Sequence, residues 1–410
     1  MGSAEAVVAA TNPIRLAAFT AAALALPGMV PKAQADTPQR SVSVDSNFSR
    51  YEESAGRMRV DIYQSTMTIP VNSRFSITAN GVKDVVTGAS PVSVGYGRSG
   101  YGPRSAGLSL IMSSASIFDV RDAVDISAKY FVNDKATLGV DLGRSSENDY
   151  TSDFFNLDGR VELNDKKTTV AAGYGYASDK VWEIVDLGGE KGKAPGVGGV
   201  KHTNQGMLGV TQVLDKDSLA QLNLTYTHNE GFLADPYKYA LVYNYSNPYF
   251  PDFVRDSRPG HRDQFAVLLR YVRNFSMLNS AALHADYRFY SDSWGIDAHT
   301  FELMWIQPIA YGVELRPRVR YYAQGSADFY QPVFNEPRAD GNYSSDYRMA
   351  GFGAISGGIQ LTTEVAGRLR VAGGVDFYQR RQDYGIAGGA GTSVDNYSFS
   401  MYSVSLNLKF

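Results

Sequence analysis

Cysteine is absent from all 410 residues, which excludes a disulfide framework, cysteine-ligated zinc and iron–sulfur clusters. Neither charge sign dominates: 39 Lys and Arg stand against 42 Asp and Glu, so there is no basic footprint for nucleic acid. Beyond the first 35 residues no apolar run approaches the roughly 20 residues that a membrane-spanning helix needs. No G-x-S-x-G nucleophile motif occurs, and the five histidines, at 202, 228, 261, 284 and 299, include no pair at metal-ligand spacing. Nothing here calls for a cofactor or a metal, and no standard nucleophile motif marks an enzyme.

What is present begins with a leader. Arg15 precedes an apolar run from Leu16 to Leu26, and Ala33-Gln34-Ala35 follows. A positive flank, a short apolar core and an A-x-A site are the marks of a cleaved signal peptide, expected over 1–35. The n-region is long and carries Glu5, a departure from the usual form. An exported chain with 27 Tyr, 40 Gly and no long apolar run is either a soluble β-protein or an outer-membrane barrel, whose strands hide their hydrophobicity by alternation.

Alternation recurs from end to end. "AVDISAKYF" sets Val124, Ile126, Ala128 and Tyr130 against Asp125, Ser127 and Lys129. "VELRPRVRY" sets Val313, Leu315, Val319 and Tyr321 against Glu314, Arg316, Arg318 and Arg320. The pattern predicts strands near 41–50, 57–69, 74–84, 119–131, 136–144, 153–163, 168–177, 203–214, 218–228, 263–274, 280–291, 296–306, 312–324, 347–361, 367–379 and 396–410. Short polar turns such as "VNDK" (132–135) alternate with long connections near 85–118, 178–202, 229–262, 325–346 and 380–395. This is the pattern of an all-β, antiparallel up-and-down transmembrane barrel over 36–410, with sixteen strands, or fourteen if the weak N-terminal ones fail. Short turns are expected in the periplasm and long loops outside, which places the protein in the outer membrane.

Energetics orient the strands. A basic residue on the lipid face costs about 2–4 kcal/mol at the midplane, so the Arg316, Arg318 and Arg320 stack must point inward. The lumen set is then Arg270, His284, Asp286, Arg288, Glu302, Glu314, Arg316, Arg318, Arg320, Arg348, Arg370 and Asp376, joined by Asp125, Asp158 and Glu162. Arginines opposite acids predict either a polar pore with a transverse field that favours anions or an internal salt-bridge network that holds the barrel shut. Tyr130, Tyr271 and Trp305 are expected in one aromatic girdle, and Tyr176, Tyr226, Tyr287 and Tyr321 in the other. The last strand sets Tyr402, Val404, Leu406, Leu408 and Phe410 on one face, similar to the signal that the barrel assembly machinery reads. His284 beside Asp286, with His299 and Glu302 on the next strand, forms the weaker outline of a hydrolytic site. The aromatic loops 235–253 and 328–337 suit a plug, a stacking surface or mutual packing at the rim, and "LSLIMSSASIF" (108–118) suits a constriction or an extension of the next strand.

Three stretches carry a family resemblance: "GFLADPYKYA" (231–240) with "DSRPGHRDQFAVLLRY" (256–271), "LHADYRFYSDSWGIDAHTFELMWIQP" (283–308), and "LRPRVRYYAQGSADFYQPVF" (315–334) with "YSSDYRMAGFGAIS" (343–356). They resemble an uncharacterised, domain-of-unknown-function family of Gram-negative outer-membrane β-barrel proteins. The resemblance covers most of the mature chain and is strongest from 203 to 360. It implies a barrel of unassigned activity in contact with outer-membrane lipid. It also implies a periplasmic lipoprotein or redox partner, and identifies no catalytic residue. The residues and the resemblance together lead to two expectations: a channel for small hydrophilic, anionic solutes, or a non-conducting scaffold of an envelope redox or assembly system.

Overall fold

A dozen residues that alternate apolar and polar side chains satisfy both faces as a strand, provided that the backbone on each edge is paired. The computed structural model describes residues 41–96, 108–112, 117–186, 190–244, 247–309, 312–365, 367–386 and 394–410. The expected leader at 1–35 lies outside the described residues.

In chain order the strands are β1 (Ser43–Glu53), β2 (Met58–Asn72), β3 (Phe75–Gly88), β4 (Pro91–Tyr96), β5 (Leu108–Met112), β6 (Ile117–Phe131) and β7 (Ala136–Ser146). They continue with β8 (Tyr150–Leu163), β9 (Thr168–Asp186), β10 (Lys191–Asp215), β11 (Ser218–Gly231), β12 (Tyr239–Asn244), β13 (Asn247–Arg255) and β14 (His261–Phe275). The last are β15 (Ala281–Asp292), β16 (Asp297–Pro308), β17 (Glu314–Gln324), β18 (Phe352–Val365), β19 (Leu369–Arg381) and β20 (Tyr397–Lys409). Sixteen of them form one closed antiparallel barrel; β4–β5 and β12–β13 are separate hairpins inside the connections. The ring closes where β20 pairs with β1, from Ser43↔Lys409 to Glu53↔Phe399, and the Phe410 N–H donates to the Val42 carbonyl at 2.9 Å. Closure leaves no sheet edge in hydrocarbon, so the final strand needs no polar tail.

The faces sort as the energetics require. Val319 is 50% exposed on the outside, whereas the side chain of Arg318, its neighbour, is 14% exposed on the inside. Tyr402, Val404 and Leu406 are exposed on the outer face of β20, and Phe410 is exposed just past its end. Tyr130, Tyr271 and Tyr226 are exposed on the outside of their strands, near the two ends of the barrel.

Four features depart from the sequence reading. First, 178–202 is largely strand: β9 and β10 run on as a paired ribbon, with a register shift between Lys193 and Gly198. Gly196 and Gly198, at φ 73° and 126°, supply the left-handed backbone, and the Lys193 ammonium lies 3.5 Å from the centre of the Trp182 ring. Second, Leu108–Met112 pairs with β4 as a separate hairpin in the connection, with Leu110 and Ile111 packed on the buried Val94 and Leu241, while Ile117 and Phe118 extend β6. Third, Arg348 is not on the barrel wall. It sits in a 3-10 turn, Tyr347–Met349, before β18, because the Asp346 side chain accepts from the Arg348 N–H and turns the chain. Fourth, the inner face is not polar throughout. Towards the long-loop end Tyr51, Val60, Ile62, Val82, Ala123, Phe154 and Ala177 pack into one buried cluster inside the wall.

Candidate functional site: a charged vestibule beneath a folded cap

The lumen has two storeys, set by which inward positions of each strand are charged. Along β17 the inward residues run Glu314, Arg316, Arg318, Arg320 and then Tyr322 and Gln324; along β19 they run Arg370, Asp376 and then Tyr378 and Arg380. The charged half lies at the short-turn end and the aromatic half at the long-loop end.

In the charged half one ion pair follows register and the others reach along or across strands. Arg270 on β14 faces Asp286 on β15 and holds it with two bonds, Nε at 2.8 Å and Nη2 at 2.6 Å. Asp286 faces Glu302, and Glu302 faces Arg320. Arg318 reaches Asp376 at 2.6 Å across β18 and lies 3.9 Å from Glu302. That reach depends on Gly358, the β18 residue between them in register, where a Cβ would lie 1.8 Å from Asp376 Oδ1. Glu314 accepts from Arg316 at 2.6 Å and from Arg370 at 3.2 Å. Arg288 shares the inward face of β15 with His284 and Asp286, by alternation.

Across the lumen stand acids. Asp125 on β6, Asp141 on β7 and Asp158 on β8 share the inner wall; Asn80 donates to Asp125 and Asn156 to Asp141, each at 2.9 Å. In the ring order β7 is fifth and β17 thirteenth of sixteen, so the acid arc and the arginine stack face each other. Asp141 was not singled out by the sequence reading, although the alternation of β7 marks it as inward.

The other half of the lumen is filled. Tyr51, Tyr378, Tyr397 and Phe399 form an aromatic collar on the inner wall, with Tyr378 stacked on Phe399 at 4.5 Å. Tyr347 meets the collar edge-on at Tyr397, and Arg380 donates to the Tyr347 carbonyl at 2.6 Å while its guanidinium lies 3.5 Å from the centre of the Phe352 ring. Above this seat the loops interlock. The Lys238 ammonium donates to Ser90 Oγ at 3.1 Å and to the Pro91 carbonyl. The Phe334 N–H donates to Leu241, and the Tyr343 and Ser257 backbones bond each other in both directions at 2.9 Å. Val94, Leu241, Tyr243 and Val333 share one apolar cluster with Val394 packed on it. The connections supplying Val94 and Leu241 rise from ring positions three and four and from nine and ten, so they meet over the axis.

A six-charge cluster ties the cap together: Asp235, Asp256 and Asp346 with Lys238, Arg258 and Arg348. Arg258 bridges Asp256 at 2.6 Å and Asp346 at 2.7 Å; Arg348 bridges Asp346 and Asp235. Burial alone would raise the Asp346 carboxyl, but the Arg348 and Arg258 guanidiniums outweigh it and hold the group well below the carboxylate range. Asp235 is lowered in the same way, against its burial, by Arg348 and Lys238. Burial lowers Lys238 and raises Asp256. Beside the cap, Asp119, Glu147 and Asp149 bring carboxylate oxygens within 4.8 Å of one another. Burial, opposed by Arg121 and reinforced by Asp119 and Asp149, pushes Glu147 up to about 7.

The outlined hydrolytic set does not come together. Asp286 is engaged by Arg270, and His284 Nδ1 has no hydrogen-bond partner among the described residues. His299 points outward, where its Nδ1 meets the Tyr287 hydroxyl at 2.9 Å, while Glu302 points inward. The aromatic loops, by contrast, do combine, as a cap rather than as an open stacking surface.

A family model described as "Protein of unknown function (DUF3570)" matches residues 16–401. No curated protein matches the sequence. Among solved structures, a bacterial polysaccharide outer membrane secretin superposes with a TM-score of 0.50 at 7% identity, covering 90% of this chain and 98% of that one. CdiB from Acinetobacter baumannii gives a TM-score of 0.50 at 9% identity, covering 91% of this chain and 60% of that one. At such identities the likeness is one of fold: a closed barrel of the outer-membrane type.

Proposed function

We propose, from the premise that this chain belongs to the DUF3570 family, that it is an outer-membrane channel for small hydrophilic anions whose resting state is closed by the cap. The short-turn end then faces the periplasm and the long-loop end the exterior. The observation that carries the reading is the vestibule: charged side chains that water still reaches, arginines outnumbering their acid partners on one arc and Asp125, Asp141 and Asp158 on the arc opposite. A lumen built only to be sealed gains nothing from charge separated across its width, whereas a solute path does: the field orients dipolar solutes and the basic wall favours anions. Reconstitution in planar bilayers tests it. Intact barrel should show rare openings, and a cap-weakened variant sustained, anion-selective current.

The second reading, a non-conducting scaffold for an envelope partner, is favoured by a different observation. The apolar cluster around Val60 and Ile62 is built from wall strands alone and is buried on the inner side. If a cap-weakened barrel still passes no current, that reading replaces the first.

A further inference from the structure

We propose that Arg316 and Arg370, bridged by Glu314, form an oxyanion-binding site at the short-turn mouth of the lumen, taking the phosphate or carboxylate group of a small solute. The inference deepens the anion-channel reading and rests on it for the direction of entry. Glu314 is the first residue of β17, and Arg370 the second of β19, so the site lies at the opposite end from the cap.

The arginine donors at this mouth are only partly used. One carboxylate oxygen, Glu314 Oε2, accepts from the Nη2 of both arginines. A guanidinium carries five N–H donors, and here each commits one within the described residues. Two other vestibule arginines are more fully engaged: Arg270 holds Asp286 bidentately, and Arg318 has both Asp376 and Glu302. Glu364 faces Arg370 in register without an ion pair to it among the described residues, so both guanidiniums keep N–H donors uncommitted on a planar surface, which suits the paired oxygens of a phosphate or carboxylate.

An independent observation points the same way. Thr362 lies between the two arms, opposite Glu314 in register and one strand from Arg370; it is 4% exposed, and its hydroxyl has no partner among the described residues. Arg316 Nε, Arg370 Nε and His284 Nδ1 are likewise buried without partners. Such groups inside a wall normally find a partner. Water nonetheless reaches the rim of the site: the Arg370 side chain is 36% exposed and that of Glu314 25%.

The test is isothermal titration calorimetry of the folded, detergent-solubilised barrel with inorganic phosphate and, separately, acetate, at fixed chloride. Wild-type protein should bind phosphate; acetate binding in addition would assign the site to carboxylates as well. R370Q and R316Q should each weaken binding at least tenfold. E314Q separates a ligand site from a purely structural triad: removing the competing carboxylate should tighten phosphate binding several-fold, whereas a triad that only braces the wall would lose stability and bind nothing. If R316Q does not fold, R370Q, at the more exposed arm, carries the comparison. No heat with either anion, or equal heat from R370Q, overturns the proposal. Binding is read with the cap closed and without any current, so a barrel that fails to conduct leaves this test intact.

Discussion

Asp346→Asn is the perturbation that isolates the cap. In the six-charge cluster three carboxylates balance three cations, and Asp346, fully buried, accepts from Arg258 at 2.7 Å and from Arg348 Nε at 2.7 Å. Asparagine keeps the shape and leaves one uncompensated positive charge in a dry site. Removing one partner from a buried pair costs about 3–5 kcal/mol, most of it the burial of the charge left behind. At about 1.4 kcal/mol per tenfold change, the opening equilibrium should rise by roughly two to three and a half orders of magnitude. The strands are untouched, so barrel secondary structure by circular dichroism should not change. Two assays read the opening: limited proteolysis within 232–260 and 325–351, and open probability in planar bilayers. Pairing Asp346→Asn with Arg258→Gln restores neutrality and should recover part of the loss. Unchanged proteolysis in Asp346→Asn, or no recovery in the double variant, would refute the view that charge balance holds the cap down.

Other consequences follow from the same geometry. Asp346 and Asp235 have folded pKa values below the unfolded one, so their stabilisation is complete above about pH 4 and is lost only as pH falls through those low values; proteolysis of the cap should be no faster at pH 5 than at pH 8. Glu147 has the opposite sign: with its folded value raised to about 7, stability falls as pH climbs from the ordinary carboxylate range to that value, and Glu147→Gln should make that slope shallower in thermal unfolding. Gly358→Ala drives a Cβ to 1.8 Å from Asp376 Oδ1 and 2.8 Å from the Val375 carbonyl, and should cost about 1–3 kcal/mol in urea unfolding. Gly81→Ala, with nothing within 4 Å of its Cβ, should stay within about 0.5 kcal/mol. Replacing Arg316, Arg318 and Arg320 with glutamine should shift the reversal potential towards cations; an unchanged value would count against the transverse field.

Residues that meet lipid on one side and water on the other announce themselves. The expected strand at 280–291 is Ala281–Asp292, and the closing strand 396–410 is Tyr397–Lys409. Hydrocarbon enforces period two there, and no other arrangement hides Arg316, Arg318 and Arg320. Legibility ends where that constraint ends. The β9–β10 ribbon read as a loop because glycine and lysine suffice for a two-stranded ribbon beyond the bilayer. The turn at Tyr347–Met349 read as strand because its apolar residues flank Arg348 as they would in a strand, and the signal that it turns, Asp346 capping the Arg348 N–H, is a local hydrogen bond that periodicity does not register. The partners of the cap, Asp235 and Arg348 or Lys238 and Pro91, are more than a hundred positions apart and meet only once the barrel brings their strands round the ring. Within the vestibule, inward residues were legible as a set; their pairing was not, since Arg318 finds Asp376 only through the gap left at Gly358.

The chain has no cysteine, so single thiols can report directly on the central claim, a watered, charged lumen inside a lipid-facing wall. Arg318→Cys and Val319→Cys, adjacent on β17, would be probed in reconstituted vesicles with a small charged thiol reagent and with a lipid-soluble maleimide. Position 318 should react with the charged reagent and position 319 only with the lipid-soluble one. Charged-reagent labelling at 319 with protection at 318 would contradict it.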